Sequence, residues 1–433
     1  MNLPDDQQNS AEFQFRRDAD AGFEPTLVMG RAGTRMYSLA ALQERCEQEF
    51  VEEYGESAPA IEAAKTPLQR VRLILEVVNY VLSVESVHLD ADTKAALIER
   101  IHANLFGYGP LDSLFMDSSI TTIDIHGSRH ISVRHGHGDL SASGIMFDDE
   151  EHLRRVIMRI LVDAGAALPE DEPFLETGLI IAGRPVSLSI AMPPLTPYVH
   201  ADIRLHPETA PSLQQLADDG MMTMETAHLI TQIARSEFGF VIVGESESGK
   251  TTLLNAVLQL LPGGGMHAID RAGELRLPAE AVRRMPKWAA KEADCVTFGQ
   301  QIEATLGEAP ALVVLDELRI DEPLMILPLL TKTNPPRQIW SVRGVPDAKK
   351  LQSSMGMMAR RANMSQSEAM VAALYERLPF VITVRNIRQK LQVFSVAEWQ
   401  SRPDSDYPDY VMLMQYQDGA ARPTGAQLAR WLD

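Results

Sequence analysis

Residues 240–256, FVIVGESESGKTTLLNA, constrain the fold more than any other stretch of the chain. Phe240 to Val243 is a continuous apolar run with the length and β-branched content of a buried parallel strand. Gly244 to Thr251 then reads G-x-x-x-x-G-K-T, and Thr252 to Ala256 can open a helix. Strand, glycine-bounded loop and helix start, in that order, predict a P-loop. Its backbone N–H groups and the helix N-terminus together cradle phosphates. The expected cradle is Gly244, Glu245, Ser246, Glu247, Ser248, Gly249, Lys250, Thr251 and Thr252. Lys250 reaches the β- and γ-phosphates in this reading, and the Thr251 hydroxyl ligates Mg²⁺. Glu245 and Glu247 bring two carboxylates to a loop meant for anions; turned outward they cost little, turned inward they lower affinity.

Two later segments supply acids. Ala311 to Leu315 is an apolar run leading straight into Asp316-Glu317, the form of a strand parallel to the P-loop strand that ends at the same sheet edge. Asp316 is expected to hold Mg²⁺ through water and Glu317 to orient the attacking water. Upstream, Pro262 to Gly265 turns the chain into a short strand from Met266 that ends on Asp270.

A length of 433 residues suggests two or three domains. The net charge of −19 argues against a motor that tracks a nucleic-acid backbone, so no nucleic-acid partner is expected. Cys46 and Cys295 have no metal-like spacing and fit a reducing cytosol. The first residues are polar and acidic rather than a signal peptide, and no run of about 18 apolar residues occurs. The chain is therefore expected to be cytoplasmic, docking on a membrane complex without inserting.

Read in order, residues 1–35 form an expected disordered tail. Residues 36–106 form a helical region with apolar residues at helical spacing, including a helix from about Ala91 with Asp90 as its N-cap. Gly107 to Leu111 breaks it. Residues 107–207 read as a mixed α/β domain: strands at Ile120–Ile125, His130–Arg134, Gly178–Ala182, Val186–Ala191 and Ala201–Leu205, and a helix from about Asp149 to Ala164. His126, His130, His135 and His137 crowd one hairpin there; sharing an ion would need convergent geometry, and solvated histidines are the blander reading. Residues 208–222 read as a linker, 223–400 as a P-loop nucleoside-triphosphatase domain and 401–433 as a C-terminal tail.

From about residue 95 onward the chain resembles the type II/type IV secretion ATPase superfamily, in the branch that powers tight-adherence pilus assembly. Leu105 to Asp112, LFGYGPLD, resembles the family's LFGxGPLE signature, followed by its D-x-S-x-T-x-I-x-x-x-G hairpin at Asp117 to Gly127. Phe147 to Leu153, Pro193-Pro194-Leu195, Ile203-Arg204 and Gly249 to Asn255 are similar to further family segments, and Arg422 to Gly425 to a tail motif. The resemblance implies an α/β fold: an N-terminal helical and mixed α/β domain joined by a linker to a RecA-like ATPase domain. It also implies ATP and Mg²⁺ as ligands, ATP held between the domains, and Arg204 reaching it from the N-terminal side. The implied assembly is a homo-hexamer, or a mixed ring with an ATPase paralogue, working on an inner-membrane secretion or pilus platform.

Departures from the family cluster at the chemistry. The glutamate of its I-E-D-x-A-E-L stretch falls on Asp270 and the following aspartate on Arg271. Two P-loop glycines fall on Glu245 and Glu247, and the histidine box corresponds to Trp340 to Gly344, with Arg343 near the missing histidine. Arginines before the acidic strand fall on Glu303, Gly307 and Ala309. With Lys250, Glu317 and Asp270 as the expected catalytic set, the leading reading is a secretion or pilus-assembly ATPase whose changed motifs allow slow turnover. The other is a degenerate subunit that binds nucleotide without hydrolysing it and partners an active paralogue. A small-molecule P-loop kinase lacks any recognisable acceptor site and leaves the N-terminal domain unexplained.

Overall fold

The computed structural model describes residues 27–28, 37–54, 63–171, 173–319, 323–344, 347–402 and 405–430. Most of the expected tail, 1–35, lies outside them. The chain divides into two compact units, Met1–Ser113 and Leu114–Asp433.

The first unit is helical: α1 (Leu39–Tyr54), α2 (Pro67–Val84) and α3 (Ala91–Phe106), preceded by a short pairing of β1 (Leu27–Val28) with β2 (Tyr37–Ser38). Thr66 caps α2 in a reciprocal box with Gln69, and Asp90 caps α3 by accepting the Thr93 N–H at 2.8 Å. The three helices bury Leu42, Cys46, Phe50, Ile74, Val78, Leu97 and Ile101 in one core.

The second unit holds two sheets. The smaller, six-stranded and ordered β5-β4-β3-β8-β7-β6, is antiparallel throughout. Its strands are β3 (Ile120–His126), β4 (Ile131–His135), β5 (Ser141–Ala142), β6 (Phe174–Ile181), β7 (Arg184–Ala191) and β8 (His200–Leu205). Helix α4 (Glu150–Asp163), capped by Asp149, buries Leu153, Val156, Ile157, Ile160 and Leu161. Residues 208–222, expected as a linker, instead contain helix α5 (Leu213–Asp218), and Leu213, Leu216, Met221 and Met222 are buried in the core of the larger sheet.

That nine-stranded sheet runs β11-β10-β12-β13-β9-β14-β15-β16-β17. Strands β9 (Phe240–Gly244), β10 (Met266–Ile269), β11 (Val282–Arg284), β12 (Leu312–Leu318), β13 (Arg337–Arg343) and β14 (Phe380–Ile387) are parallel. Side chains alternate across the sheet, so Phe240 and Ile242 enter one core while Val241 and Val243 enter the other. Helices α6 (Met224–Arg235) and α7 (Lys250–Leu258) cover the first face. Helices α8 (Phe298–Gly307), α9 (Leu327–Thr331), α10 (Ala348–Ala362) and α11 (Ser367–Arg377) cover the second. Burial on both faces is why β9 is uninterruptedly apolar. Where the sequence suggested a tail from 401, the sheet continues antiparallel through β15 (Lys390–Arg402), β16 (Ser405–Gln417) and β17 (Ala420–Pro423). Val393, Val396, Trp399, Leu413 and Ala421 hold that extension by burial.

The two sheets meet closely. A Cβ added to Gly178 on β6 would lie 1.9 Å from the Ala272 carbonyl oxygen, so only glycine allows this approach. The Trp288 indole N–H donates to the Glu176 carbonyl at 2.7 Å beside it.

Candidate functional site

The P-loop leaves β9 at its carboxyl end, between β13 and β14, and enters α7 at Lys250. Gly244 is required by crowding: a Cβ there would sit 2.2 Å from the Ser248 hydroxyl and 2.7 Å from the Val384 carbonyl oxygen. The Glu245 carbonyl gathers the loop, accepting from Ser248 Oγ at 2.8 Å and Lys250 Nζ at 2.8 Å. Lys250 is buried, and burial pulls its ammonium below the usual lysine range while Glu317 and Asp316 push the other way.

Glu247 stands where the family pattern has glycine and keeps a glycine-like backbone at φ 58. Its carboxylate pairs with Arg134 of β4 in the smaller sheet. Arg204 of β8 approaches from the same sheet, its guanidinium 3.1 Å from Asp202 and 3.4 Å from Ser246 Oγ. Burial opposes the Arg204 charge, but Asp202 and Glu274 outweigh it and keep the group protonated. Two arginines from the smaller sheet thus reach the loop of the larger one. Arg204 was legible in the sequence; Arg134 carries no local signal.

Asp316 and Glu317 end β12 beside this loop. The register with β13 shifts between Leu315 and Leu318, and Glu317 takes a left-handed φ of 49. A non-glycine residue held there is strained, as often found where a functional group must be aimed. Asp316 is buried with its Oδ1 unpartnered among the described residues. Burial lifts its carboxyl well above the ordinary range, helped by Asp270, Glu274 and Glu317. An orphaned oxygen amid carboxylates, one of which (Glu274) also engages Thr251, is a donor set suited to a hard cation such as Mg²⁺.

Asp270 departs from its expected role. Its buried carboxylate turns away from the loop, accepting the Glu274 and Leu275 N–H groups, each at 3.1 Å, with Arg283 Nε at 3.4 Å. The chain folds back after β10, and the acid that faces the cavity is Glu274. It accepts from Ser187 Oγ of β7 at 2.7 Å and also engages Thr251. Burial works against its charge, but His206, Ser187 and Arg204 hold the carboxyl below the ordinary range. The A-G-E-L run at Ala272 to Leu275 was the sequence signal for it.

These groups border two adjoining cavities. One of about 430 Å³ is lined by Arg204, Ser246, Arg271, Glu274, Asp316, Glu317 and Arg343. Another of about 210 Å³ runs along Glu247 to Thr252 past Arg134, His206, Thr209 and Pro211. Arg343 pairs in register with Gly244, which places it at the sheet edge beside the loop. Arg271 lies over the Phe298 ring at 4.5 Å and near Glu176 at 3.9 Å. The crowded histidines do not converge. His135 Nδ1 bonds Ser119 Oγ at 2.8 Å, His137 borders the smaller cavity, and His126 meets His200 instead.

The Asp316 environment predicts a separation of stability from binding. Asp316→Asn removes a buried charge crowded by like charges, so the protein without nucleotide is expected to melt higher. A gain on the order of 1 kcal/mol corresponds to about 2–4 °C. Mg²⁺-dependent nucleotide binding is expected to weaken in the same variant. Thermal melts with and without Mg²⁺ and nucleotide check both.

Residues 139–331 match the family described as type II/IV secretion system protein. A putative conjugal transfer protein of Mycobacterium tuberculosis is 28% identical over 245 residues, covering 54% of this chain and 68% of that one. The VirB11 ATPase of the Brucella suis type IV secretion system, solved with sulphate, is 19% identical over 67% of this chain and 95% of that one, at TM-score 0.34. The Legionella pneumophila ATPase DotB is 13% identical over 66% and 78%, at TM-score 0.46. The residues matched to that family include β8 with Arg204, the P-loop and the Asp316-Glu317 strand, so the segment that builds the site is the part similar to type II/IV secretion system proteins.

Proposed function

We propose that the chain binds ATP with Mg²⁺ between its two sheets and is the nucleotide-driven subunit of a type II/IV secretion or tight-adherence pilus-assembly machine. The carrying observation is that Lys250, Asp316 and Glu317 from the larger sheet and Arg134 and Arg204 from the smaller one converge on one P-loop. Lys250 neutralises phosphate charge, and Thr251 and Asp316 are the residues that would hold the metal ion. The ion, when bound, supplies charge stabilisation to the transferring phosphoryl group. Glu317 orients and deprotonates water. Arg204 and Arg134 make phosphate contacts depend on how the smaller sheet is seated, which is a route from nucleotide state to domain motion. A ring of copies, or of this chain with a paralogue, would carry that motion to a membrane platform.

The second reading, a regulatory subunit that binds nucleotide without turning it over, is favoured by the tied Asp270 carboxylate, by Glu303 and Gly307 on α8 and by Ala309 just beyond it. Nucleotide affinity and turnover measured on the same purified protein separate the two. Binding without turnover, restored only by a paralogue, selects the second; binding of neither ATP nor ADP removes both.

Glu247 offers an internal test. Glu247→Gly relieves the left-handed backbone and removes a carboxylate from the loop, while losing a half-exposed ion pair worth about 0–1 kcal/mol. ATP is expected to bind about 10-fold tighter, with stability nearly unchanged because glycine also loosens the unfolded chain. Weaker binding in this variant would mean that the Arg134 pairing organises the loop.

A further inference from the structure

The smaller sheet carries two histidines and an aspartate that the nucleotide site does not use, beside Asp202, which holds Arg204. His126 on β3 and His200 on β8 are opposite each other in register, as are Asp124 and Asp202 two positions along the same strands. Opposed residues and those two apart share a sheet face, so the four side chains form one patch. Within it, Asp124 Oδ2 lies 3.0 Å from His126 Nε2, and His126 Nδ1 lies 3.1 Å from His200 Nδ1. The rings are inclined by 59°, so they are not stacked.

A carboxylate accepting at Nε2 favours the Nε2–H tautomer of a neutral His126. An Nε2–H donated to Asp124 leaves a lone pair on His126 Nδ1, aimed at His200 Nδ1. A carboxylate behind an imidazole that presents its other nitrogen is the usual support for a metal-ligating histidine. The separation also fits: two nitrogens bound to one tetrahedral zinc at about 2.05 Å each lie about 3.3 Å apart. Closing the remaining difference takes only a small side-chain rotation. Asp202 adds negative charge beside the pair, its Oδ1 unpartnered among the described residues.

We propose that His126 and His200 bind a divalent transition-metal ion of the zinc class through their Nδ1 atoms, with Asp124 orienting His126. Nitrogen ligands select such an ion over Mg²⁺, so this site and the acid-lined P-loop take different metals. His126 is largely exposed, with 59% of its side-chain surface accessible, so the remaining coordination positions face water and the ion is exchangeable.

The test is a calorimetric titration of chelator-treated full-length protein with Zn²⁺, in excess Mg²⁺ to fill oxygen sites, with Co²⁺ absorption as a second probe. One equivalent is expected, retained in Lys250→Ala, which keeps the result independent of nucleotide binding. His126→Ala and His200→Ala are each expected to lose it, and His126→Gln guards against loss through misfolding, checked by circular dichroism and melting. Asp124→Asn is expected to weaken binding about 10- to 100-fold. A His135→Ala, His137→Ala double variant is expected to bind like wild type. The proposal is overturned if wild type binds no Zn²⁺, or if the equivalent survives in folded His126→Ala or His200→Ala.

Discussion

Lys250→Ala is expected to weaken ATP binding by about 10- to 100-fold, the range of losing one charged hydrogen-bond donor. Any turnover should fall by about 10²- to 10³-fold, as for removal of a single donor from a preorganised anionic site. Lys250 is the buried cation of the P-loop, held against the Glu245 carbonyl at 2.8 Å and facing the field of Asp316 and Glu317. Without it only Arg204 and Arg134 of the smaller sheet offset the repulsion between those acids and the incoming phosphates. Arginine is no substitute, because a planar guanidinium does not fit a buried slot shaped for a compact ammonium. Titration with a fluorescent nucleotide analogue and a phosphate-release assay measure the two effects separately. Wild-type affinity in the variant would place the nucleotide elsewhere.

Glu317→Gln should split the same two quantities. It preserves size and the left-handed backbone while removing the base, so turnover is expected to drop about 10²- to 10⁴-fold. Affinity should hold or improve, since one negative charge leaves a crowded group of carboxylates. An unchanged rate would shift the base to another acid. Glu274 is then the first candidate, because it borders both cavities and already engages Ser187 and Thr251.

The local parts of this site were legible in the sequence because their signals are local. The P-loop and the Asp316-Glu317 strand each join an apolar run to a short polar motif, and neighbours in the chain are neighbours in space. Asp270 shows where that fails. A carboxylate at a strand end looks the same in sequence whether it faces the ligand or its own loop, and here the fold-back of residues 271–275 decides. Arg134 acquires meaning only when β4 is laid against the larger sheet, and the bond of Glu274 to Ser187 forms only when β7 is. His200 lies far from the histidine-rich hairpin, so its pairing with His126 could not be read from spacing. The supposed linker hid Leu213, Leu216, Met221 and Met222 in a polar average, and β15 to β17 lay beyond any motif, held by long-range antiparallel pairing.

The margins of the two sheets bear on how copies of the chain can meet. The larger sheet ends in β11, three residues long, and in β17, four residues long with Pro423 among them. The smaller ends in the two-residue β5 and in β6, over which Trp288 and the Ala272 turn are folded. Each rim is short, proline-bearing or already covered, so none offers a long row of free N–H and C=O groups to a neighbour. Edge-to-edge fusion of these sheets between copies is thereby disfavoured. Side chains on faces and loops are what such rims leave for contacts between copies, and contacts of that kind can be broken and remade without unravelling a strand.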